Sequence, residues 1–154
     1  MIQLKDILIE TQVAKAGMTV RAVFRECIDA NVPALPYCDE QGRVVGRMTV
    51  KYVIQKSIIP DYMAEFADVI PPDLDCLKEA EIRLREVFDT DIAPYVQEPH
   101  AVVKPDVSLG KALAVMERHD TSYVFVVHEG QYRGTLTIQA IARYEMELDE
   151  SSRG

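Results

Sequence analysis

An octapeptide written twice sets the tightest limit on what this chain can fold into: GRMTVKYV, Gly46 to Val53, returns as GTLTIQAI, Gly134 to Ile141. In each copy a Gly is followed three residues later by a Thr, Gly46 to Thr49 and Gly134 to Thr137. The apolar residues then change from strand-like alternation to helical spacing. The physical reading is strand, helix cap, helix, twice over. Self-similarity at a fixed separation decides architecture before any single side chain is interpreted.

The match extends outward. Met18 onward aligns with Val107 onward, pairing Thr19 with Ser108, Val20 with Leu109, Phe24 with Leu113 and Cys27 with Met116. One residue is dropped in the second copy's turn, after which Gly42 meets Gly130 and Gly46 meets Gly134. Each copy predicts a short strand, a helix, a hairpin and a second helix, a βαββα unit. At 154 residues and 48% hydrophobic, the chain has the size of one domain, so the copies read as halves around shared apolar layers.

Thr11 to Lys15 is predicted as the first strand, Thr19 as a cap, and Val20, Val23, Phe24, Cys27 and Ile28 as one core-facing helical stripe. Ala34 to Cys38 and Val44 to Met48 form the first hairpin, with Pro36 demoting its strand to an edge or an irregular one. In the second copy His100 to Lys104 is the strand, Ser108 the cap, Leu109, Ala112, Leu113 and Met116 the stripe, and Tyr123 to Val127 with Tyr132 to Leu136 the hairpin. Residues 1 to 10 read as a short packing helix or a lead-in strand.

Residues 60 to 94 interrupt the repeat. Tyr62, Met63, Phe66, Val69 and Ile70 have helical spacing until Pro71-Pro72 stops them, and Leu77, Ala80, Leu84 and Val87 follow a 3-4-3 spacing behind Asp73. Such a stripe reads first as packing on the protein's own core and second as a dimer or partner surface. Residues 145 to 154 are an acidic tail, expected to fray.

The formal charge of -8 sits in the same interruption: residues 60 to 98 hold 11 acids against Lys78, Arg83 and Arg85, and the remainder is neutral. That balance disfavours nucleic acid, whose binding draws on clustered cations. No apolar run approaches the roughly 20 residues of a membrane span and the first residues do not read as a signal peptide, so a soluble, cytoplasmic protein is expected. Cys27, Cys38 and Cys76 are scattered without a CxxC pair, consistent with reduced thiols.

Thr49 and Thr137 stand where an anion can be held. Each is a hydroxyl at a helix N-terminus behind a Gly that permits close backbone approach, with Arg47, Lys51 and Arg133 nearby. The plainer reading of either Thr is a helix cap. His100, His119 and His128 occur singly along the sequence, and no HExxH, GxSxG or Walker loop is present. Neither a catalytic residue nor a metal site is predicted.

Two βαββα units, each closing on a hairpin and Gly-x-h-Thr before the last helix, resemble a pair of CBS domains, the cystathionine-beta-synthase-type regulatory or Bateman module. The resemblance implies an α/β tandem pair with pseudo-twofold symmetry: residues 1 to 59 the first repeat, 60 to 94 an acidic helical insert, 95 to 144 the second repeat, 145 to 154 the tail. It further implies adenosine-containing ligands such as AMP, ADP, ATP or S-adenosylmethionine between the repeats. Carried onto this chain, one cleft uses Val13, Pro33, Ala34 and Thr49, and the other Val102, Ser122, Tyr123 and Thr137; Arg133 would offset phosphate charge. The family's ribose-binding Asp, three residues after the Thr, is Tyr52 in one copy and Ala140 in the other. Losing that carboxylate removes a hydrogen bond of about 1.5 to 3 kcal/mol. Tyr52 or Tyr123 could stack on a base instead.

The function implied is a stand-alone sensor, with no cofactor required, that commonly assembles as a homodimer and has the insert as a possible protein-partner surface. The rival is a scaffold that has lost its ligand, and an enzyme is a distant third.

Overall fold

Two copies of one unit are present in the computed structural model, which describes residues 3–58, 65–69, 71 and 82–154. The first contains α1 (Val20–Ala30), β1 (Ala34–Cys38), β2 (Val44–Thr49) and α2 (Val50–Ile58). The second contains β3 (Val102–Val103), α3 (Leu109–Arg118), β4 (Tyr123–His128), β5 (Gln131–Thr137) and α4 (Ile138–Arg153). The fold is α/β, with β1-β2 antiparallel in one sheet and β3-β4-β5 in the other. Both hairpins carry a register shift at the same equivalent step, Tyr37/Cys38 and Val126/Val127.

Local chemistry fixes the ends. The Thr19 hydroxyl accepts from Ala22 N at 3.2 Å and that of Ser108 from Lys111 N at 3.1 Å, each satisfying an orphan amide of the first turn. Asn31 ends α1 in the left-handed region at φ 55, and Asp120 occupies the same place after α3 at φ 49. Asn and Asp tolerate that conformation better than other L-residues. Of the stripe expected to face the core, Val20, Val23, Phe24 and Cys27 do, but Ile28 is 71% exposed. Eight residues on from Val20 the helix has turned about 80° from it, which puts Ile28 over the rim of the buried stripe. Leu113 on α3 is exposed for the same kind of reason, at the rim beside Ala112 and Met116.

The strand expected over Thr11 to Lys15 is reduced to one parallel bridge, Ala14 to Tyr37. Pro36 explains this. In the second unit Phe125 donates its amide to Ala101 O at 2.9 Å, and β3 pairs with β4 over two residues. Pro36 stands where Phe125 does and has no N–H, so the equivalent bond toward Gln12 does not form. What remains is Ala14 N to Pro36 O at 2.8 Å and Cys38 N to Ala14 O at 2.9 Å.

The two units are tied by an exchange of segments. Ile9 pairs with Thr135 of the second hairpin, by two bonds of 2.9 Å, and Gln97 pairs with Arg47 of the first, by bonds of 2.8 and 3.0 Å. Thr135 and Arg47 are equivalent positions, so each lead-in strand crosses to the other unit's hairpin at the same step. Arg43 bridges its own counterpart, Gln131, where the pseudo-twofold axis passes. Leu4 and Ile7 accordingly bury with the second unit's core beside Ala112, Met116, Val124 and Leu136. Ala34 of the first unit packs with Tyr123 and Phe125 of the second, closing the seam between them.

Part of the insert is described. Residues 82–87 are helical, and Leu84, Val87 and Phe88 pack against the first unit's core, as the plainer reading of that stripe had it. Phe88 O and Thr90 O accept from Arg21 N at 2.7 Å and Val20 N at 3.0 Å, closing the start of α1, and Arg21 pairs with Asp89 at 3.0 Å. Phe66 and Val69 are exposed around a short turn, Ala67–Val69. The expectations for Tyr62, Met63, Ile70, Leu77 and Ala80 fall outside the described residues. The segment from 145, expected to fray, continues α4 as far as Arg153, which pairs with Asp149 one turn earlier at 3.2 Å. Its Glu, Met and Leu residues are good helix formers, with no Gly or Pro before Gly154. Cys27 and Cys38 are buried free thiols, and burial pushes Cys27 up to about 12, so neither is an exposed thiolate.

Candidate functional site in the first seam

Where the linker at Gln97 crosses β2, the two units leave a cleft of about 350 Å³. Its floor and one wall are the end of β2 and the start of α2, with Arg47, Thr49, Lys51, Tyr52 and Gln55; Pro33 closes one side. The opposite wall comes from the second unit: His100 on the lead-in strand, and His119 through Tyr123 where α3 hands over to β4. Close approach here depends on Gly46. A Cβ at that position would lie 2.9 Å from Gln97 O and 2.9 Å from Val96 Cγ1.

Thr49 is buried, and its hydroxyl accepts from Tyr52 N at 3.0 Å. It is therefore a cap, and a hydroxyl that accepts from the helix still has its proton to donate. Arg47 donates to Glu98 O at 3.0 Å and to the Tyr123 hydroxyl at 3.3 Å. These two bonds hold the guanidinium across the seam while leaving part of its five-donor fork unspent. Lys51 is exposed at the mouth, and Lys56 lies over the Tyr52 ring at 5.6 Å. Asp120 is the sole carboxylate among the described residues lining the cleft, so among them cations prevail despite the chain's net charge.

Two histidines that the sequence leaves apart meet in this wall. The rings of His100 and His119 lie edge to face with centroids 5.0 Å apart, and His100 Nδ1 is buried without a hydrogen-bond partner. Burial, the Arg47 charge and His119 together hold the His100 imidazole below its ordinary pKa. No periodic pattern relates positions 100 and 119; only the packing of a strand against a helix end joins them. The expectation of three isolated histidines is thus corrected for two of them, while His128 stands at an exposed strand end beside Glu129.

The second seam has the same frame and different contents. Thr135 takes the place of Arg47 and is fully buried. The Tyr132 hydroxyl lies 2.7 Å from Thr135 Oγ1 and 3.0 Å from Thr11 Oγ1, and it donates to Ile9 O at 3.3 Å. The Tyr132 ring stands edge-on to Phe125, and its hydroxyl bonds the lead-in carbonyl of Ile9 as Arg47 bonds that of Glu98 in the first seam.

The ten residues singled out from the sequence are distributed accordingly. Pro33, Thr49 and Tyr52 share the first seam with Ser122 and Tyr123, which had been assigned to the opposite cleft. Ala34 is buried behind them against Tyr123 and Phe125. Val13 is half-buried beside the Ala14 bridge and is not among the residues lining the cleft. Thr137 is buried and caps α4 by accepting from Ala140 N at 3.1 Å. Val102 and Arg133 line a separate depression with Lys104 and His128. Arg47, Lys51, His100 and His119 complete the first seam. Among the described residues no group of His, Cys, Asp and Glu is arranged to hold a metal ion, and no helix is long and apolar enough to cross a membrane.

Duplicated βαββα units joined by exchanged lead-in strands and packed around a pseudo-twofold axis define a tandem-repeat class of α/β fold. The family model of the CBS domain matches residues 90–147. No curated relative matches the sequence. Similar solved structures include the CBS domain of a CBS domain containing membrane protein from Sphaerobacter thermophilus, at 20% identity and TM-score 0.64 over 92% of this chain and 86% of that one. An uncharacterized conserved protein from Pyrococcus horikoshii matches at 15% identity and TM-score 0.62 over 94% and 92%. CBSX2 in complex with AMP matches at 16% identity and TM-score 0.61 over 97% and 99%. The chain therefore has the CBS-pair fold across both of its units.

Proposed function

We propose that this CBS-domain module is a regulatory sensor that binds an adenosine-containing ligand between its repeats and signals through a change in conformation or assembly. The observation that supports this reading best is the first seam: an open cleft in which Arg47, Lys51 and the Thr49 cap face residues of the other unit. A ligand there touches both repeats, so its binding energy depends on how they sit together, which is what a conformational signal requires. The AMP complex of the similarly folded CBSX2 agrees with that ligand class. Tyr52, in place of the ribose carboxylate, offers a ring face and not a charged acceptor, which lowers the affinity expected for the ribose. A homodimer, and a protein partner at the insert, are the assemblies this role would act through.

Thermal melts with AMP, ADP, ATP, S-adenosylmethionine and NAD test the reading. A ligand at 100 times its dissociation constant adds about 2.7 kcal/mol, roughly 5–11 °C in Tm for a chain of this size. Thr49→Val should cost about 1 kcal/mol of stability through the lost cap and remove the ligand shift as well. Flat melts with all five compounds would favour the ligand-free scaffold, and an undiminished shift in the Thr49→Val protein would separate Thr49 from the site.

A further inference from the structure

The insert covers one unit and leaves its twin open. Leu84, Val87 and Phe88 pack on the first unit's core, where Val20 and Val53 are fully buried. Their counterparts in the second unit, Leu109 and Ile141, are only half-buried, and among the described residues nothing like the insert packs on that core. A groove of about 1020 Å³ stands there instead, between the turn at Leu4, the start of α3 and the middle of α4, with Leu4, Leu109, Tyr144 and Leu148 in its lining. Leu148 is 47% exposed.

The backbone repeats the contrast. In the first unit Thr90 O and Phe88 O accept from Val20 N and Arg21 N, and Asp91 bridges Thr19, so the chain passes from the insert's helical turn along the start of α1. The twin amides, Leu109 N and Gly110 N, have no acceptor among the described residues, since Ser108 satisfies only Lys111 N. Gly110, standing where Arg21 does, leaves the approach free of a side chain. An apolar groove edged by two backbone donors matches the face that residues 84–91 occupy. One insert cannot serve both faces of its own chain. A second copy that donated its insert would uncover its own α1, so pairing copies in that way leaves as many faces bare as before.

We propose that this groove is a docking surface for a segment of a different protein: a helical turn with apolar residues spaced as Leu84, Val87 and Phe88, leading into extended chain whose carbonyls meet Leu109 N and Gly110 N. Burial of its aliphatic and aromatic side chains supplies the affinity, and the two amides fix the direction in which the segment lies. The groove shares no lining residue with the first seam, so it works apart from any ligand held there.

A peptide with the sequence of residues 82–92, IRLREVFDTDI, carries the required pattern and serves as the probe. Titrated into the isotope-labelled full chain, it should bind once per chain and shift the amide resonances of Leu109, Gly110 and Leu148, leaving those of Val20 and Arg21 in place. Replacing the peptide's Phe88 by Gln should weaken it about tenfold or more, the loss of one buried aromatic side chain. Leu148→Gln in the protein, at a half-exposed position, should weaken it about fivefold and hold the melting temperature within about 2 °C. Undiminished binding to the Leu148→Gln protein, or no binding at about 1 mM peptide, overturns the proposal. So do shifts at Val20 and Arg21, which would show the peptide replacing the insert on α1. A chain that self-associates, with the association lost in Leu148→Gln, gives the groove to a second copy and overturns it as well.

Discussion

Phe125→Ala is expected to lower the unfolding free energy by about 3–5 kcal/mol, the range for emptying a buried Phe site. In a chain of this size that is a fall in melting temperature of roughly 6–20 °C. The residue is 1% exposed and lies where the two units join. Its ring stands 5.2 Å from that of Tyr123 and 6.2 Å from that of Tyr132, it shares a cluster with Ala34 of the first unit, and its amide closes the strand pair through Ala101. The space it fills is bounded by two different hairpins, so collapse onto the cavity would require both to move. Ile28→Ala, at a side chain 71% exposed, should change stability by no more than about 0.5 kcal/mol. Denaturant unfolding of both variants checks the pair. A loss below about 1 kcal/mol for Phe125→Ala would mean that the seam is not a packed interface.

Arg47→Met should weaken AMP binding by about 1.5–3 kcal/mol, roughly ten- to more than a hundredfold, while keeping the length of an apolar stem. The guanidinium is the one side chain tied to the linker, through Glu98 O, and to the second unit, through Tyr123, while facing the cleft. The same change alters the pH dependence, and its sign follows from the groups around His100. Burial, Arg47 and His119 all lower its pKa, with Lys51 and Asp120 lining the same cleft. Removing the Arg47 charge lets His100 take up a proton at a higher pH than in the parent protein, still below its ordinary value because burial and His119 remain, so the affinity gap between variant and parent should narrow as the pH falls below about 7. The second phosphate pKa of about 6 falls in the same range, and comparing variant with parent at each pH removes the ligand's own titration. Affinity that is equal in the variant and the parent protein would place the phosphate elsewhere.

Much of the architecture is legible in the chain because it is periodic. Gly-x-h-Thr at both copies marks two hairpins feeding two capped helices, and Thr49, Thr137, Thr19 and Ser108 are all found capping. What the periodicity cannot carry is long-range. The exchange of lead-in strands, Ile9 onto the second hairpin and Gln97 onto the first, leaves no local trace, and it decides which residues share a cleft. Assigning Pro33 and Thr49 to one cleft and Ser122 and Tyr123 to another treats each unit as self-contained, whereas the first seam is built from both. The meeting of His100 and His119 is hidden for the same reason. Pro36 could be weighed in advance, and it does shorten the first strand; its counterpart Phe125, with an amide to give, shows by how much. The difference between the seams was also written in the sequence as Arg47 against Thr135, but that contrast acquires meaning only once Tyr132 is seen bonded to the Thr.

The crystal structure of the chain grown with AMP is the most direct measurement of which seam works and how. The expected result is one nucleotide per chain in the first seam, its phosphate within hydrogen-bonding distance of Arg47 and of at least one of His100 and His119, with Tyr132 still bonded to Thr135. A nucleotide lodged beside Thr135 and Thr137 with the Tyr132 ring displaced, or both seams filled by side chains at saturating AMP, would contradict it.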